Sequence, residues 1–430
     1  MKLPPAPCPR SLAPTRRHFL RHLAVAATAA TVLPRTFAVL PKATITKINI
    51  YRPPTLNLHF NQSNMVVTIE TDQAGLIGVG EGGSRDTIEQ CAQRLIGRNP
   101  FDIERCWQDM YRSWFYSPGR EKIHALGALD LALWDLKGKA LGVPVYDLIG
   151  GMNRTYVETY LSGGGTGTQL QERARATIEA GHRAFRMDAA SPSANQPVTE
   201  AGPLPGPIYN TRERVGQVAK NAKDVRIGVG EDGDWLVDLH QRFDYADALR
   251  CCKLLEEFAP YLVEDPTRDE QFRDDIPKLR KMTSVPLAAG EEWGQRWDFH
   301  KLVENKDVDY VRCTLPNVGG ITEMLKIAAL CETHAVGIVP HFTGSIATAA
   351  LVHALGPFSG PVLVEIGQNV KLPEHVSEGL DFRRGKIWPN RRPGLGITLN
   401  MERLALVTAI TDPGTKRPVF FRPDGSQTSW

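Results

Sequence analysis

Between residues 155 and 367 the chain repeats one grammar eight times, a short apolar run followed by a polar-faced helical pattern. The runs are YVETYLSGG, RAFRMDAA, DWLVDLH, PYLVEDP, VPLAAGEE, VDYVRCT, VGIVPHF and PVLVEIG. Strands of this kind separated by helices predict a parallel sheet with helices on its outside, closed into a barrel. Almost every run ends in a polar or ionisable residue. In parallel βα barrels the chemistry is built at the C-terminal strand ends, so those terminal residues are the candidate site.

The flanking sequence has a different texture. From Thr44 to Gly80 the chain alternates and turns (ATITKINIYRPP, NMVVTIETDQAGLIGVGEG), which predicts a short antiparallel meander with a D-Q-A-G turn. In ALGALDLALWDLKGKALGVP, Leu126, Leu129, Leu133, Leu136 and Ala140 recur at helical spacing, and Gly142 and Pro144 end the helix. The expected organisation is a small α+β domain over 39–150, a barrel over 151–390, and a segment 391–430 that packs back on the small domain. A chain of 430 residues is long enough for both cores.

Hydrophobic content of 42% and charged content of 23% describe an ordinary soluble protein, and a net charge of +3 without a block of like charges gives no footprint for nucleic acid. None of the seven cysteines lies in a C-x-x-C pair, so neither a zinc knuckle nor a disulfide framework is indicated. Adjacent Cys251 and Cys252 are expected on a helix, with at least one in the core. At the N-terminus, TRRHFLRHLAVAATAATVLPRTFA places Arg16 and Arg17 before a short apolar run, Leu23 to Leu33. That run is too short to span a bilayer comfortably, and it resembles a twin-arginine export signal over residues 1–38 with a cut after Ala38. The expectation is a periplasmic or otherwise exported protein without stable membrane insertion once the signal is removed.

Spacing selects among the acids. Glu264 ends one strand and Glu291 closes the next, 27 residues on, which is about one βα repeat. One repeat back from Glu264 stands Asp238. Glu231 and Asp232 break the period, so with Asp234 they are assigned to the turn before the strand as solvated charge. Three carboxylates converging from neighbouring strands repel one another and raise one another's pKa values. A hard divalent cation resolves the conflict, and all-oxygen ligation favours Mg²⁺ over zinc. Each acid alone is more often a salt-bridge partner; three in register point to a metal. His240 follows Asp238 by two, which on an extended strand puts both on one side. It is therefore a candidate for proton transfer.

These residues carry a family resemblance. ALDLALWDLKGKALGVPVYDLIGG, DLHQR, VEDP, PLAAGEE, DYVRCTLPNVGGITE, PHF and RPGLGITLN…DGSQTSW resemble the enolase superfamily, mandelate racemase/muconate lactonizing group, and within it the mannonate/gluconate-type sugar-acid dehydratases. The resemblance implies a (β/α)₇β modified TIM barrel under an N-terminal α+β capping domain, with Mg²⁺ on Asp238, Glu264 and Glu291. It implies a hydro-lyase: proton abstraction next to a carboxylate, an ene-diolate stabilised by the cation, and loss of the β-hydroxyl with His240 as general acid. The implied partner is a small sugar acid of aldonate type, and the implied assembly a homo-oligomer.

The same resemblance marks departures. Where common members carry Lys-x-Lys on the second strand, this chain has Arg186-Met187-Asp188. Arginine there matches the mannonate-type pattern, in which it lowers the pKa of a tyrosine that takes the α-proton. The nearest tyrosine is Tyr209, on the loop GPLPGPIYN; Asp188 is a second candidate, or else an ion-pair partner of Arg186. Thr314 stands where an aspartate tunes the seventh-strand histidine, so His341 is expected to bind substrate more than to act as a full base. Glu365 either hydrogen-bonds substrate or forms a buried ion pair with an arginine such as Arg312; Asp188, Arg312 and Glu365 are the expected substrate contacts. Cap loops RPPTLNLHFNQSN and SWFYSPGR, with Trp114, Phe115 and Tyr116, are expected to wall the pocket. Competing readings are a racemase, epimerase or cycloisomerase on the same fold, a glycosidase using Glu264 and Glu291 without metal, and a carboxylate-binding homologue without turnover.

Overall fold

The computed structural model describes residues 39–58, 62–113, 119–188, 198–199, 202–203, 209–268, 272–342, 344–367, 372–414 and 419–429. Residues 1–38, where an export signal is expected, and the Trp114–Tyr116 aromatic run lie outside these residues.

The small domain begins with strands β1 (Ile45–Arg52), β2 (Val66–Thr71) and β3 (Ile77–Glu81), an antiparallel meander. Helices α1 (Arg85–Ala92), α2 (Ile103–Tyr111) and α3 (Gly119–Leu141) pack on it. The α3 leucines expected on one face, Leu126, Leu129, Leu133 and Leu136, are all fully buried. Close approach of α3 to β3 depends on glycine: a Cβ at Gly78 or Gly80 would stand 2.0 Å from a carbonyl oxygen of Ala132 or Ala128. Buried Asp135 on α3 accepts the backbone N–H groups of Val79 and Leu395, and buried Asp130 accepts both the N–H and the hydroxyl of Thr322. Helix α3 is thus tied to its own sheet, to the C-terminal segment and to the barrel.

Eight parallel strands form the barrel: β4 (Val157–Gly163), β5 (Ala184–Asp188), β6 (Asp234–Asp238), β7 (Leu262–Glu264), β8 (Leu287–Ala289), β9 (Tyr310–Val311), β10 (Gly337–Ile338) and β11 (Leu363–Ile366). Strand β11 pairs in parallel with β4, and a bridge from Ile338 to Val362 joins it to β10, so the sheet closes. The intervening helices are α4 (Gly167–Glu179), α5 (Thr211–Val229), α6 (Tyr245–Leu255), α7 (Asp275–Arg280), α8 (Arg296–Glu304), α9 (Ile321–His334) and α10 (Ser345–Leu355). This is the expected (β/α)₇β order. Cys251 and Cys252 are both buried on α6.

After the barrel, a hairpin of β12 (Asp381–Arg383) and β13 (Lys386–Trp388) pairs β13 antiparallel to β4. Strand β14 (Ala405–Ile410) then adds to the small domain beside β1. Asp234 is the first residue of β6, paired with Arg183, and not part of the preceding turn as its charge suggested. An arginine just before the neighbouring strand lets a partly buried acid open a strand.

The barrel interior is layered with a period of two. Its apolar floor contains Tyr160, Ala184, Leu236, Leu262, Ala288, Val339 and Leu363, with Tyr310 packed against it. Two residues further along each of those strands stand Ser162, Arg186, Asp238, Glu264, Gly290, His341, Glu365 and Arg312. Because side chains two apart on a strand share a face, a sealed hydrophobic layer carries a polar layer above it.

Candidate active site

Strand register sets the three acids side by side. Asp238 is opposite Glu264 on β7 and Asp188 on β5, and Glu264 is opposite Ala288 on β8, three residues before Glu291. One carboxylate oxygen from each of Asp238, Glu264 and Glu291 lies within 4.8 Å of the others. Asp238 and Glu264 are fully buried, while the Glu291 side chain is 14% exposed.

Two guanidinium groups run through the polar layer. Arg186 contacts Asp238 at 3.2 Å, Glu264 at 3.3 Å and Glu365 at 3.1 Å. Arg312 contacts Glu264 at 2.5 Å and Glu365 at 2.9 Å, and donates to the Tyr160 hydroxyl at 2.8 Å and the Val339 carbonyl at 3.0 Å. Glu365 also accepts from the Ser162 hydroxyl and the Phe342 N–H. With Asp238, Glu264, Glu291 and Glu365 ionised, the two arginines leave the cluster with two negative charges in excess, which one divalent cation would balance.

The electrostatics follow from this arrangement. Burial opposes ionisation of Glu365, but Arg186 and Arg312 hold it well below the ordinary carboxylate range. Burial also opposes ionisation of Asp238, yet Arg186 and then the His240 hydrogen bond bring it below its usual value. Glu291 shows the converse: burial, then the charges of Asp238 and Glu264, push its carboxyl well up. Glu264 is raised in the same way, less strongly, with Arg312 opposing. Glu291 is therefore the acid of the three whose ionisation is most strongly opposed. An all-oxygen trio in a cluster with that excess of negative charge fits a hard divalent cation such as Mg²⁺.

His240 reaches the trio by a route different from the expected one. Strand β6 ends at Asp238, and His240 and Gln241 adopt left-handed backbone angles, φ 50° and 54°. The strand-parity argument therefore does not apply to it. The turn is held by Asp238, whose Oδ1 accepts the His240 N–H at 2.7 Å while Oδ2 meets Nε2 at 2.7 Å. Burial lowers the imidazole pKa, but the hydrogen bond to Asp238 and its charge raise it net.

The other expected site residues separate into those brought to the cluster and those not. His341 lies at the end of the seventh strand, Nε2 3.7 Å from Glu291, and burial lowers its pKa to about 4, so it is neutral. Thr314 donates its hydroxyl to the Glu291 carbonyl at 2.8 Å, supporting the backbone that carries the third acid. Asp188, its side chain 45% exposed, stands 4.0 Å from Arg186. Arg312 is 0% exposed, which removes it from the substrate contacts and makes it a support beneath the acids. Tyr209 stacks under Arg214 at 5.7 Å, and burial raises its pKa, with Arg214, Arg242 and Arg268 opposing. Arg186 does not act on it as the resemblance implied, because Tyr209 packs at the start of α5 and Arg186 is engaged by acids inside the barrel. Tyr160 and Ser162 were missed in the sequence; their signal was strand parity with Glu365, visible once β4 and β11 are known to pair.

Comparison with known proteins agrees with this architecture. Residues 42–150 match the mandelate racemase/muconate lactonizing enzyme N-terminal domain, and residues 169–403 the enolase C-terminal domain-like family. The chain is 34% identical over 403 residues to a D-galactonate dehydratase of Verminephrobacter eiseniae, covering 90% of this chain and 100% of that protein. Among solved structures, an enolase from Pantoea ananatis with bound D-gluconate and Mg superposes with TM-score 0.76 at 26% identity, covering 84% of this chain and 94% of the other. The 3,6-anhydro-D-galactonate cycloisomerase of Zobellia galactanivorans superposes with TM-score 0.71 at 27% identity, over 84% and 98% of the two chains. With both domains matched and the acid trio in place, the chain belongs to the mandelate racemase/muconate lactonizing enzyme group of the enolase superfamily.

Proposed function

We propose that the protein is a Mg²⁺-dependent hydro-lyase that dehydrates an aldonate-type sugar acid. The observation that carries this reading is the trio Asp238, Glu264 and Glu291, with its excess of two negative charges and an imidazole against it. The similarity to a galactonate dehydratase over nine-tenths of the chain supports the substrate class. When bound by the trio, the cation supplies positive charge for the substrate carboxylate as its α-proton leaves.

The chain's own groups do the rest. Asp188 is the better placed of the two candidate bases. Its carboxyl, raised by burial against Arg186 and His240, sits beside the polar layer, whereas Tyr209 is held by Arg214. Asp188 takes the α-proton, the β-carbon–oxygen bond breaks, and His240 donates a proton to the departing hydroxyl, which leaves as water. The enol product ketonises to a 2-keto-3-deoxy acid. His341, neutral and next to Glu291, binds substrate. General acid catalysis of this kind is typically worth ~10²–10⁴-fold.

The test is a keto-acid assay on D-galactonate and D-gluconate with Mg²⁺ or with chelator, alongside exchange of the α-hydrogen in deuterated water. His240→Asn should lower keto-acid formation by ~10²-fold or more while α-exchange persists. Asp188→Asn should abolish both. Full keto-acid formation by His240→Asn removes the histidine from the mechanism, and wild-type exchange without keto acid favours epimerisation. The paired arginines Arg16 and Arg17 before a short apolar run support export through the twin-arginine route; cell fractionation that leaves an Arg16→Lys, Arg17→Lys precursor uncut in the cytoplasm, and the wild type mature in the periplasm, is the expected result.

A further inference from the structure

The acids of the trio are not all fixed by the strand ladder. Pairing between β7 and β8 covers only Leu287 and Ala288, and β8 ends at Ala289, so Glu291 stands two residues beyond its strand. Strand β6 likewise ends at Asp238, and His240 lies in the left-handed turn that follows. Asp238 itself accepts the His240 N–H. Glu291 needs a support of its own, because ligand atoms that share a site must be held to within about 0.5 Å. The strand between these two exits is β7, and the residue that leaves it is Asp265.

Asp265 follows Glu264, is 0% exposed, and has a left-handed backbone angle, φ 41°. Its N–H donates to the Ala288 carbonyl on β8 at 2.9 Å. Its carbonyl accepts the Gln241 N–H, in the turn after β6, also at 2.9 Å. The side chain continues past the end of the ladder: Oδ1 accepts the N–H of Gly290, the residue before Glu291, at 3.2 Å. Gly290 has φ 115°, and a Cβ there would stand 2.6 Å from the Phe299 ring and 2.8 Å from that of Trp293. The exit of β8 is thus a glycine turn wedged against two aromatic rings and tethered by the Asp265 carboxyl. On the far side of the same ligand, Thr314 donates to the Glu291 carbonyl.

These demands select the residue type. A left-handed angle is strained for most side chains, and aspartate and asparagine adopt it most readily after glycine because a short polar group bonds locally. The Gly290 N–H then needs an oxygen on the γ carbon. Glutamate would carry the same charge one methylene too far, and glycine would take the angle without the oxygen.

We propose that Asp265 is a positioning residue for the metal site: through Gly290 its Oδ1 sets where Glu291 stands, and through Gln241 its carbonyl steadies the turn bearing His240. It acts by the place of its oxygen and not by its charge. The inference rests on the preceding reading in that the trio holds Mg²⁺, and is independent of the dehydration step. The test is calorimetric titration of the folded, metal-free protein with Mg²⁺. Asp265→Asn, which keeps the oxygen and loses the charge, should bind nearly as tightly as wild type. Asp265→Gly, which suits the angle but lacks the oxygen, and Asp265→Glu, which keeps the charge but displaces the oxygen, should each bind ~10–100-fold more weakly. The glutamate variant decides the matter if the glycine variant does not fold. A merely structural residue would lower the melting temperature in chelator and leave the Mg²⁺ affinity of the folded protein unmoved. Wild-type affinity in the glycine and glutamate variants overturns the proposal. So does tighter binding by the glutamate variant than by the asparagine variant, the order a charge effect would give. Absence of Mg²⁺ binding by wild type overturns the metal reading and this proposal with it. The expected affinity pattern without keto acid overturns dehydration alone and leaves Asp265 in its role.

Discussion

Glu291→Gln is expected to cost the protein its metal and its activity while leaving the metal-free fold more resistant to alkaline pH than wild type. The carboxyl of Glu291 is pushed well up by burial and by the charges of Asp238 and Glu264. A carboxyl whose folded pKa exceeds its unfolded one contributes stability at low pH and loses it as pH rises through the folded value. Metal-free wild type must therefore lose stability as this group ionises. Glutamine, of the same shape and without the charge, escapes that loss, so the melting temperature of the variant in chelator should exceed that of wild type by a margin that widens with pH. With Mg²⁺ present the order should reverse. The variant's affinity for Mg²⁺ should fall by more than the ~10–100-fold that loss of a supporting partner costs, and keto-acid formation should fall with it. Equal Mg²⁺ affinity in calorimetry would mean that Glu291 is no ligand. Equal melting in chelator across the pH range would mean that the three charges do not share one site.

Arg312→Met is expected to have the largest effect on folding. The side chain is 0% exposed and lies between Glu264 and Glu365, with its remaining donors on Tyr160 and the Val339 carbonyl. Removing one partner of a buried ion pair leaves an uncompensated charge and costs about 3–5 kcal/mol. That is a large part of the ~5–15 kcal/mol that holds a typical domain together. Urea unfolding followed by circular dichroism should show the loss as a lower midpoint. Arg312→Lys should fall between, because an ammonium keeps the charge but lacks the planar fork that reaches Glu264, Glu365 and Tyr160 together. Adding Glu365→Gln to Arg312→Met should recover part of the loss. A midpoint for Arg312→Met equal to wild type would show that Arg186 alone compensates both glutamates.

Much of the site could be read along the chain because a βα barrel converts sequence period into spatial adjacency. Asp238, Glu264 and Glu291 recur at one repeat length, so the trio was legible without coordinates. His341 was legible as a strand-end group, and Arg186 through the resemblance of its strand to the mannonate-type pattern. Glu365 was legible as a strand-end acid but its partner was not, since ion pairing with Arg312 and contact with substrate fit the same residue type. The buried Arg312–Glu365 contact decides between them. His240 was placed beside the metal acids for an incomplete reason: parity on a strand was invoked, whereas a left-handed turn held by Asp238 does the work. Tyr209 was drawn toward Arg186 by analogy of role, and local packing under Arg214 places it elsewhere.

By itself the amino-acid sequence determined the alternation of strands and helices, the spacing of the acids and, through its motifs, the family. These are properties of residues one repeat apart, and strand and helix periodicity transmit them directly. Only the tertiary structure decided which charges face each other across the barrel, and that Glu81, His124 and His375, from three distant stretches, line one cavity. Burial and the partners available to a buried group depend on closing the sheet and seating the small domain over it, and no local pattern encodes either.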